Sequence, residues 1–271
     1  MEHIILIGDP GTGKSTLLTG LTGRPFASGM STGTGKTTQL QTEVVNGVRY
    51  SDTPGLDDAV TKKRAAEEIA AAVRLGGAVK LVFVVTLEAA RIRAGNMATI
   101  RTVLDALKER GVPVAGRFSV LINKMTPREE AMWSDAATSG PDLMRDTLND
   151  IGPVDRFAFM KRVGALEDQD NGALPDEQLT VMRSLLAAMQ TMDVPSGTNV
   201  KVKVDQIGEL TAAFEAELKR TKAAHEAALA AAKKGDTTLL EAIVRGVSDV
   251  ASVVVLASPA AQLAKRIGGL F

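Results

Sequence analysis

Four consecutive apolar residues, Ile4 to Ile7, stand near the head of the chain and stop at Gly8. A run that short, closed by glycine, predicts a buried strand. Further on, Thr38 to Val45 alternates in part, Asn46-Gly47 suits a two-residue hairpin turn, and Val48 to Asp52 resumes the alternation, so one antiparallel pair is expected. Leu81 to Val85 is continuously apolar, as strands covered on both faces are, and Phe118 to Ile122 and Arg156 to Met160 are shorter strand candidates. Helical spacing fills the intervals, over residues 15–21, 60–75, 97–109, 128–137, 141–150 and 176–192. Strands alternating with helices imply an α/β fold: a three-layer, mostly parallel sheet with helices on both faces and one antiparallel edge strand.

The pattern changes near Pro195-Ser196-Gly197. Beyond it, residues 204–232 read as one long helix with Ile207, Leu210, Phe214 and Leu218 on a shared stripe, broken by Gly235-Asp236. The expected division is therefore a nucleotide-type domain over 1–195 and an α-helical C-terminal extension over 196–271. Val250 to Ala264 carries no charge, but Pro259 interrupts it and Arg245 and Asp249 precede it, whereas a spanning helix takes about 20 apolar residues. A helix that folds back or pairs with a second copy is the first reading of this tail; interfacial membrane contact ranks second and a span third. No internal repeat is present, and nothing resembling a targeting segment precedes Ile4, so a cytoplasmic location is expected.

Composition narrows the chemistry. The 271 residues are 45% hydrophobic and 24% charged, enough to bury a sizeable core. Lys plus Arg and Asp plus Glu number 32 each, so no overall positive field favours nucleic acid, and any polyanion must meet a local site. The absence of cysteine removes disulfides, thiolate metal cages and a cysteine nucleophile. The two histidines, His3 and His225, are too far apart in sequence to suggest a His-rich metal site or a Ser-His-Asp triad.

One local site is spelled out. Gly8-Asp9-Pro10-Gly11-Thr12-Gly13-Lys14-Ser15 fits G-x-x-x-x-G-K-[ST] between the first strand and the first helix. Glycines let successive N–H groups curl around a phosphate, and the helix N-terminus adds partial positive charge. Lys14 would face the β- and γ-phosphates and Ser15 would ligate magnesium, with Thr16 next in the binding segment. A similar run, Gly33-Thr34-Gly35-Lys36-Thr37-Thr38, has Met30 where the spacing demands glycine, and reads as a glycine-rich loop. Asp52-Thr53-Pro54-Gly55 ends the third strand pattern, in a D-x-x-G arrangement. There Asp52 would hold magnesium through water and the Gly55 N–H could bond the γ-phosphate.

These segments, with Leu56 and the Asn123-Lys124 pair after the fifth strand, resemble the translation-factor-related P-loop GTPases over about residues 3–190. Within that class the resemblance is to the septin-like branch holding the GIMAP (AIG-type) proteins and the chloroplast import receptor GTPases. It implies a guanine-nucleotide switch using GTP/GDP and Mg2+, with Thr37 or Thr38 as the magnesium-ligating threonine that closes on the γ-phosphate. Such proteins read guanine with N/T-K-x-D, where the Asn addresses the ring, the Lys stem packs along it and the Asp accepts two N–H bonds. This chain has Asn123-Lys124-Met125-Thr126, and a threonine hydroxyl cannot make that pair. A base-backing loop is expected near Lys161-Arg162, without a clear match. Leu56 stands where many small GTPases carry a water-positioning glutamine, which predicts slow intrinsic hydrolysis, accelerated by a partner or by a homodimer across the nucleotide face. Arg91 and Arg93 could act in trans, although a solvated helix start is the plainer reading, as it is for Lys62-Lys63-Arg64. Trp133 and the methionines read as packing residues. Two other functions stay open: an ATPase of another P-loop class, and a nucleotide-locked scaffold assembling through C-terminal helices.

Overall fold

A computed structural model describes residues 1–26, 39–56, 62–88, 91–134, 153–166, 174–216 and 219. The strands are β1 (Glu2–Ile7), β2 (Gln41–Val45), β3 (Val48–Asp52), β4 (Gly77–Val85), β5 (Leu87–Glu88), β6 (Arg91–Ile92), β7 (Phe118–Met125), β8 (Arg156–Lys161) and β9 (Met192–Val194). The helices are α1 (Lys14–Thr22), α2 (Lys62–Arg74), α3 (Ala94–Lys108), α4 (Pro127–Ser134), α5 (Asp176–Ala188) and a last one, α6, over residues 207–216.

The main sheet runs in the order β2-β3-β1-β4-β7-β8. Pairings β3–β1, β1–β4, β4–β7 and β7–β8 are parallel, and β2 lies antiparallel to β3 at the edge. Between β2 and β3, Asn46 and Gly47 take φ of 51° and 78°, the left-handed pair that a tight hairpin turn requires. The chain leaves β1 toward β3 on one side and then crosses to β4 on the other. That reversal puts a crevice at the carboxyl end of β1, where ligands of open α/β sheets bind.

Alternation along the strands fills both faces. Ile5 and Ile7 of β1, Leu81, Phe83 and Val85 of β4, and Phe118, Val120 and Ile122 of β7 point to one side, where Ile69 and Val73 of α2 and Ile100, Val103 and Leu107 of α3 cover them. Ile4, Leu6, Val82, Val84 and Leu121 point to the other, under Leu17 and Leu18 of α1 and Met182, Leu185 and Leu186 of α5. Strands sandwiched this way must be apolar at successive positions, which is why Leu81 to Val85 shows no polar alternation.

The C-terminal half departs from the periodicity. The helix expected over 176–192 ends at Ala188, because Met189 turns extended (φ −71°, ψ 141°). Met192–Val194 then forms a second antiparallel strand against Gly77–Val79. Val200, Val202 and Ile207 are buried in the same core as α2 and α3, and Leu210 and Phe214 pack against it. The expected helix over 204–232 opens with a 3-10 turn, Val204–Gln206. It continues as α6 over residues 207–216, while residues 217, 218 and the tail from 220, His225 included, and the helix expected over 141–150 lie outside the described residues. Among the described residues no helix is long and apolar enough to cross a membrane.

Candidate functional site

Burial of Ile5, Leu6 and Ile7 fixes the end of β1, so the loop from Gly8 to Gly13 is delivered to the sheet's carboxyl edge before α1 starts at Lys14. The loop is tied internally, with the Thr12 N–H and Oγ1 both donating to the Asp9 carbonyl at 3.3 and 2.9 Å. Gly13 sits in the left-handed region (φ 94°), and a Cβ there would stand 2.6 Å from Asn123 Nδ2. Two independent constraints thus require glycine at this position.

Lys14 is buried and its Nζ donates to the carbonyls of Gly8 at 2.8 Å and Asp9 at 3.0 Å. Burial pushes the ammonium below its ordinary value, opposed by the nearby carboxylates of Asp52 and then Asp9. The fold therefore carries a desolvated positive charge at the mouth of a loop rich in N–H groups. The bonds of Lys14 to the two carbonyls fix that charge against the loop.

Asp52 closes β3 opposite the first turn of α1, where Ser15 Oγ donates to its Oδ2 at 2.5 Å. Thr53 is anchored by its Oγ1 bond to the Leu6 carbonyl at 2.8 Å. A Cβ on Gly55 would lie 2.2 Å from Pro10 Cδ, so the segment after β3 can rest against the phosphate loop only through glycine. Leu56 is 1% exposed, within the core rather than over the loop.

The third wall comes from β7. Asn123 Nδ2 donates to the Thr12 carbonyl at 2.8 Å, and its Oδ1 accepts the Lys124 N–H at 2.9 Å. Lys124 takes φ 59°, and its Cε comes 3.8 Å from where a Gly13 Cβ would be, so its stem lies toward the loop. Thr126 caps α4: its N–H and Oγ1 both donate to Glu129 Oε2 at 2.9 Å, while the Glu129 N–H donates to Thr126 Oγ1 at 3.3 Å. That reciprocal pair is a capping box, with Pro127 in the first helical position. The end of β8 joins in, Arg162 N–H bonding the Met125 carbonyl at 2.9 Å and Lys161 pairing with Glu130 at 3.0 Å.

The structure brings Asp9 to Thr16, Asp52, Gly55, Asn123 and Lys124 to one edge of the sheet. Thr37 and Thr38 lie outside the described residues, as do the side chains of Arg91 and Trp133. Arg93 pairs with Glu88 at 3.1 Å on the surface, and Lys63 and Arg64 are exposed. Periodicity gave no hint of Asn96, a buried residue of α3 whose Nδ2 donates to Asp9 Oδ2. Glu129 also went unread in the sequence, although Thr126-Pro127-Arg128-Glu129 has the spacing of a capping box.

Residues 3–124 match the family model described as 50S ribosome-binding GTPase. The match reaches the level of the P-loop GTPase class and spans Gly8–Ser15, Asp52–Gly55 and Asn123-Lys124, without singling out the septin-like branch. No curated protein matches the chain. Among solved structures, NFeoB from S. thermophilus, bound to GDP.AlF4- and K+, is 18% identical with a TM-score of 0.39, covering 96% of this chain and 97% of its own. Toc33 from Arabidopsis thaliana, in complex with GDP and Mg2+, is 14% identical with a TM-score of 0.42, covering 72% and 88%. Elongation factor SelB from Methanococcus maripaludis, in complex with the GTP analogue GPPNHP, is 14% identical with a TM-score of 0.39, covering 69% and 34%. Similarities this distant carry no functional reading.

Proposed function

We propose that the chain is a guanine-nucleotide-binding switch that hydrolyses GTP slowly to GDP and phosphate in a magnesium-dependent reaction. One observation carries the reading: Ser15 Oγ and Asp52 Oδ2 meet at 2.5 Å beside the buried Lys14 ammonium, at the mouth of the Gly8–Gly13 loop. The GTPase family match over residues 3–124 supports the choice of reaction.

The donor set fits magnesium. A serine hydroxyl and a carboxylate are hard oxygen donors, and Mg2+ commonly keeps several waters while taking only one or two protein ligands plus substrate phosphate. Ser15 would ligate the ion and Asp52 would hold it through water, with Thr37 or Thr38 completing the set. When bound, the ion neutralises charge on the β- and γ-phosphate oxygens.

The protein's own part is positioning and electrostatics. The backbone N–H groups of Asp9 and of residues 11–16 would surround the phosphates, Lys14 would face the β- and γ-groups, and the Gly55 N–H would bond the γ-phosphate. Water attacks the γ-phosphorus as its bond to the β–γ bridging oxygen breaks, and GDP and inorganic phosphate leave. Loss of the γ-phosphate removes the bond at Gly55 and frees the segment after Asp52, which is the switch. Leu56 is buried in the core and cannot hold the attacking water, so turnover is slow unless a partner or second copy completes the site. A cytoplasmic location and self-association across the nucleotide face or through the C-terminal extension belong to the same proposal.

The test is to identify the nucleotide that copurifies with the protein and to repeat the preparation with Lys14→Ala. Guanine nucleotide in the parent and none in a folded variant is the expected result. Retention by the variant would remove the site.

A further inference from the structure

We infer that Glu129 is the residue that selects guanine, an inference that rests on the reading of the site as a nucleotide pocket. Its ground is the way Glu129 is folded back over the start of α4. One carboxylate oxygen, Oε2, accepts both the N–H and the hydroxyl of Thr126 at 2.9 Å, which carries the group toward the loop that follows β7. The same loop is fastened to the phosphate loop by Asn123 on the Thr12 carbonyl, and Lys124 lies along Gly13. In the P-loop GTPases that this chain resembles, the Lys of N/T-K-x-D packs along the base, which would place a base here beside Lys124, on the Thr126 side.

Base chemistry sets what must wait there. Guanine presents two adjacent donors, N1–H and the N2 amino group, whereas adenine offers an acceptor at N1 and a donor at N6. A carboxylate accepts from both guanine donors and gains nothing comparable from adenine. The Thr126 hydroxyl cannot do this, being a single group already engaged with Glu129. Among the described residues, Asp9 and Asp52 lie at the phosphate loop, where Asn96 and Ser15 bond them, and Glu130 pairs with Lys161 at 3.0 Å, so Glu129 is the carboxylate bonded to Thr126. Glu129 keeps Oε1 without a bonding partner among the described residues, and it is only partly buried. Thr126 thus acts as a positioning residue, and the carboxylate it holds supplies what its own side chain lacks.

The experiment compares displacement of a labelled nucleotide by GDP, ADP and XDP for the wild type, Glu129→Gln and Glu129→Ala, with thermal unfolding of each. Gln can keep the capping bonds, so Glu129→Gln should melt near the wild type. Its preference for GDP over ADP should fall tenfold or more, and XDP should improve, because the carboxamide N–H can donate to the xanthine 2-oxo group. Glu129→Ala should lose the preference without gaining XDP. A wild-type preference that survives in Glu129→Gln overturns the role of Glu129 alone. Equal displacement of the wild type by GDP and ADP overturns the guanine reading of the whole site, and Glu129's role with it.

Discussion

Asn123 Nδ2 donates to the Thr12 carbonyl at 2.8 Å across a sequence separation of 111 residues. The bond joins the end of β7 to the middle of the phosphate loop, and the amide sits where any side chain at position 13 would have to go. The loop after β1 and the end of β7, the two segments proposed to hold a nucleotide, are thereby tied to each other directly.

Removing the amide should loosen both. Asn123→Ala leaves a buried carbonyl without its donor, which costs about 1–3 kcal/mol. Gly13→Ala should be worse, since it adds a contact at 2.6 Å to a backbone held at φ 94°. Thermal unfolding without nucleotide should rank Gly13→Ala below Asn123→Ala below wild type. Nucleotide affinity should fall in the same order, and an unperturbed affinity in Gly13→Ala would show that the loop is not the binding element.

Lys14 is expected to serve both stability and binding. Burial disfavours its ammonium, but Nζ bonds the Gly8 and Asp9 carbonyls at 2.8 and 3.0 Å and the carboxylates of Asp52 and Asp9 favour its charge, so removing it leaves buried acceptors without their donor. Lys14→Met should melt below wild type when nucleotide is absent, by about 1–3 kcal/mol or more, and show no rise in melting temperature on adding GDP and magnesium. A rise on adding GDP as large as that of wild type would show that Lys14 does not face the phosphates.

The Ser15–Asp52 pair should control the response to magnesium. Ser15→Ala and Asp52→Asn each remove one oxygen function from the pair that meets at 2.5 Å. In wild type, chelating magnesium should speed GDP release at least tenfold. In either variant release should be fast already and nearly indifferent to the chelator, as read by stopped-flow fluorescence of a labelled GDP.

Buried His3 links stability to pH. Its Nδ1 bonds the Gly76 carbonyl at 3.3 Å and its Nε2 the Ser51 hydroxyl at 2.8 Å. Burial, helped by the Arg49 charge and opposed by the Gly76 bond, lowers its pKa to about 4 from 6.5. The folded state holds the neutral ring while the unfolded chain takes up a proton below about pH 6.5. The stabilising contribution is therefore complete above the unfolded value and is lost as pH falls from about 6.5 toward 4, on the order of 3 kcal/mol in all. Denaturant titrations between pH 7 and pH 4 should show that slope in wild type and a shallower one in His3→Gln.

Legibility followed the range of the interactions. Ile4–Ile7, Asn46-Gly47 and Leu81–Val85 declare their conformations through local pattern, and Gly8–Ser15 is contiguous, so its chemistry could be read directly. Met192–Val194 could not be, because a three-residue strand exists only by pairing with Gly77–Val79. Asn96 carries no local mark either; its importance arises when packing of α3 brings it to Asp9. Thr126 shows the intermediate case: its departure from an acidic residue was visible, but the fold was needed to show Glu129 bent back onto it.

Leu56 offers a last test, because position and environment make opposite forecasts. By its place after Gly55, a glutamine there would be expected to orient water and speed hydrolysis. By its surroundings it should not, since Leu56 is 1% exposed and packs in the core with Ile5, Ile7 and α2. Leu56→Gln exchanges buried apolar surface for a carboxamide with no partner, at a cost of about 2–4 kcal/mol. The expected variant melts well below wild type and hydrolyses GTP no faster in single-turnover assays. A clear acceleration would mean that the segment after Asp52 moves residue 56 out of the core and over the phosphates when GTP binds.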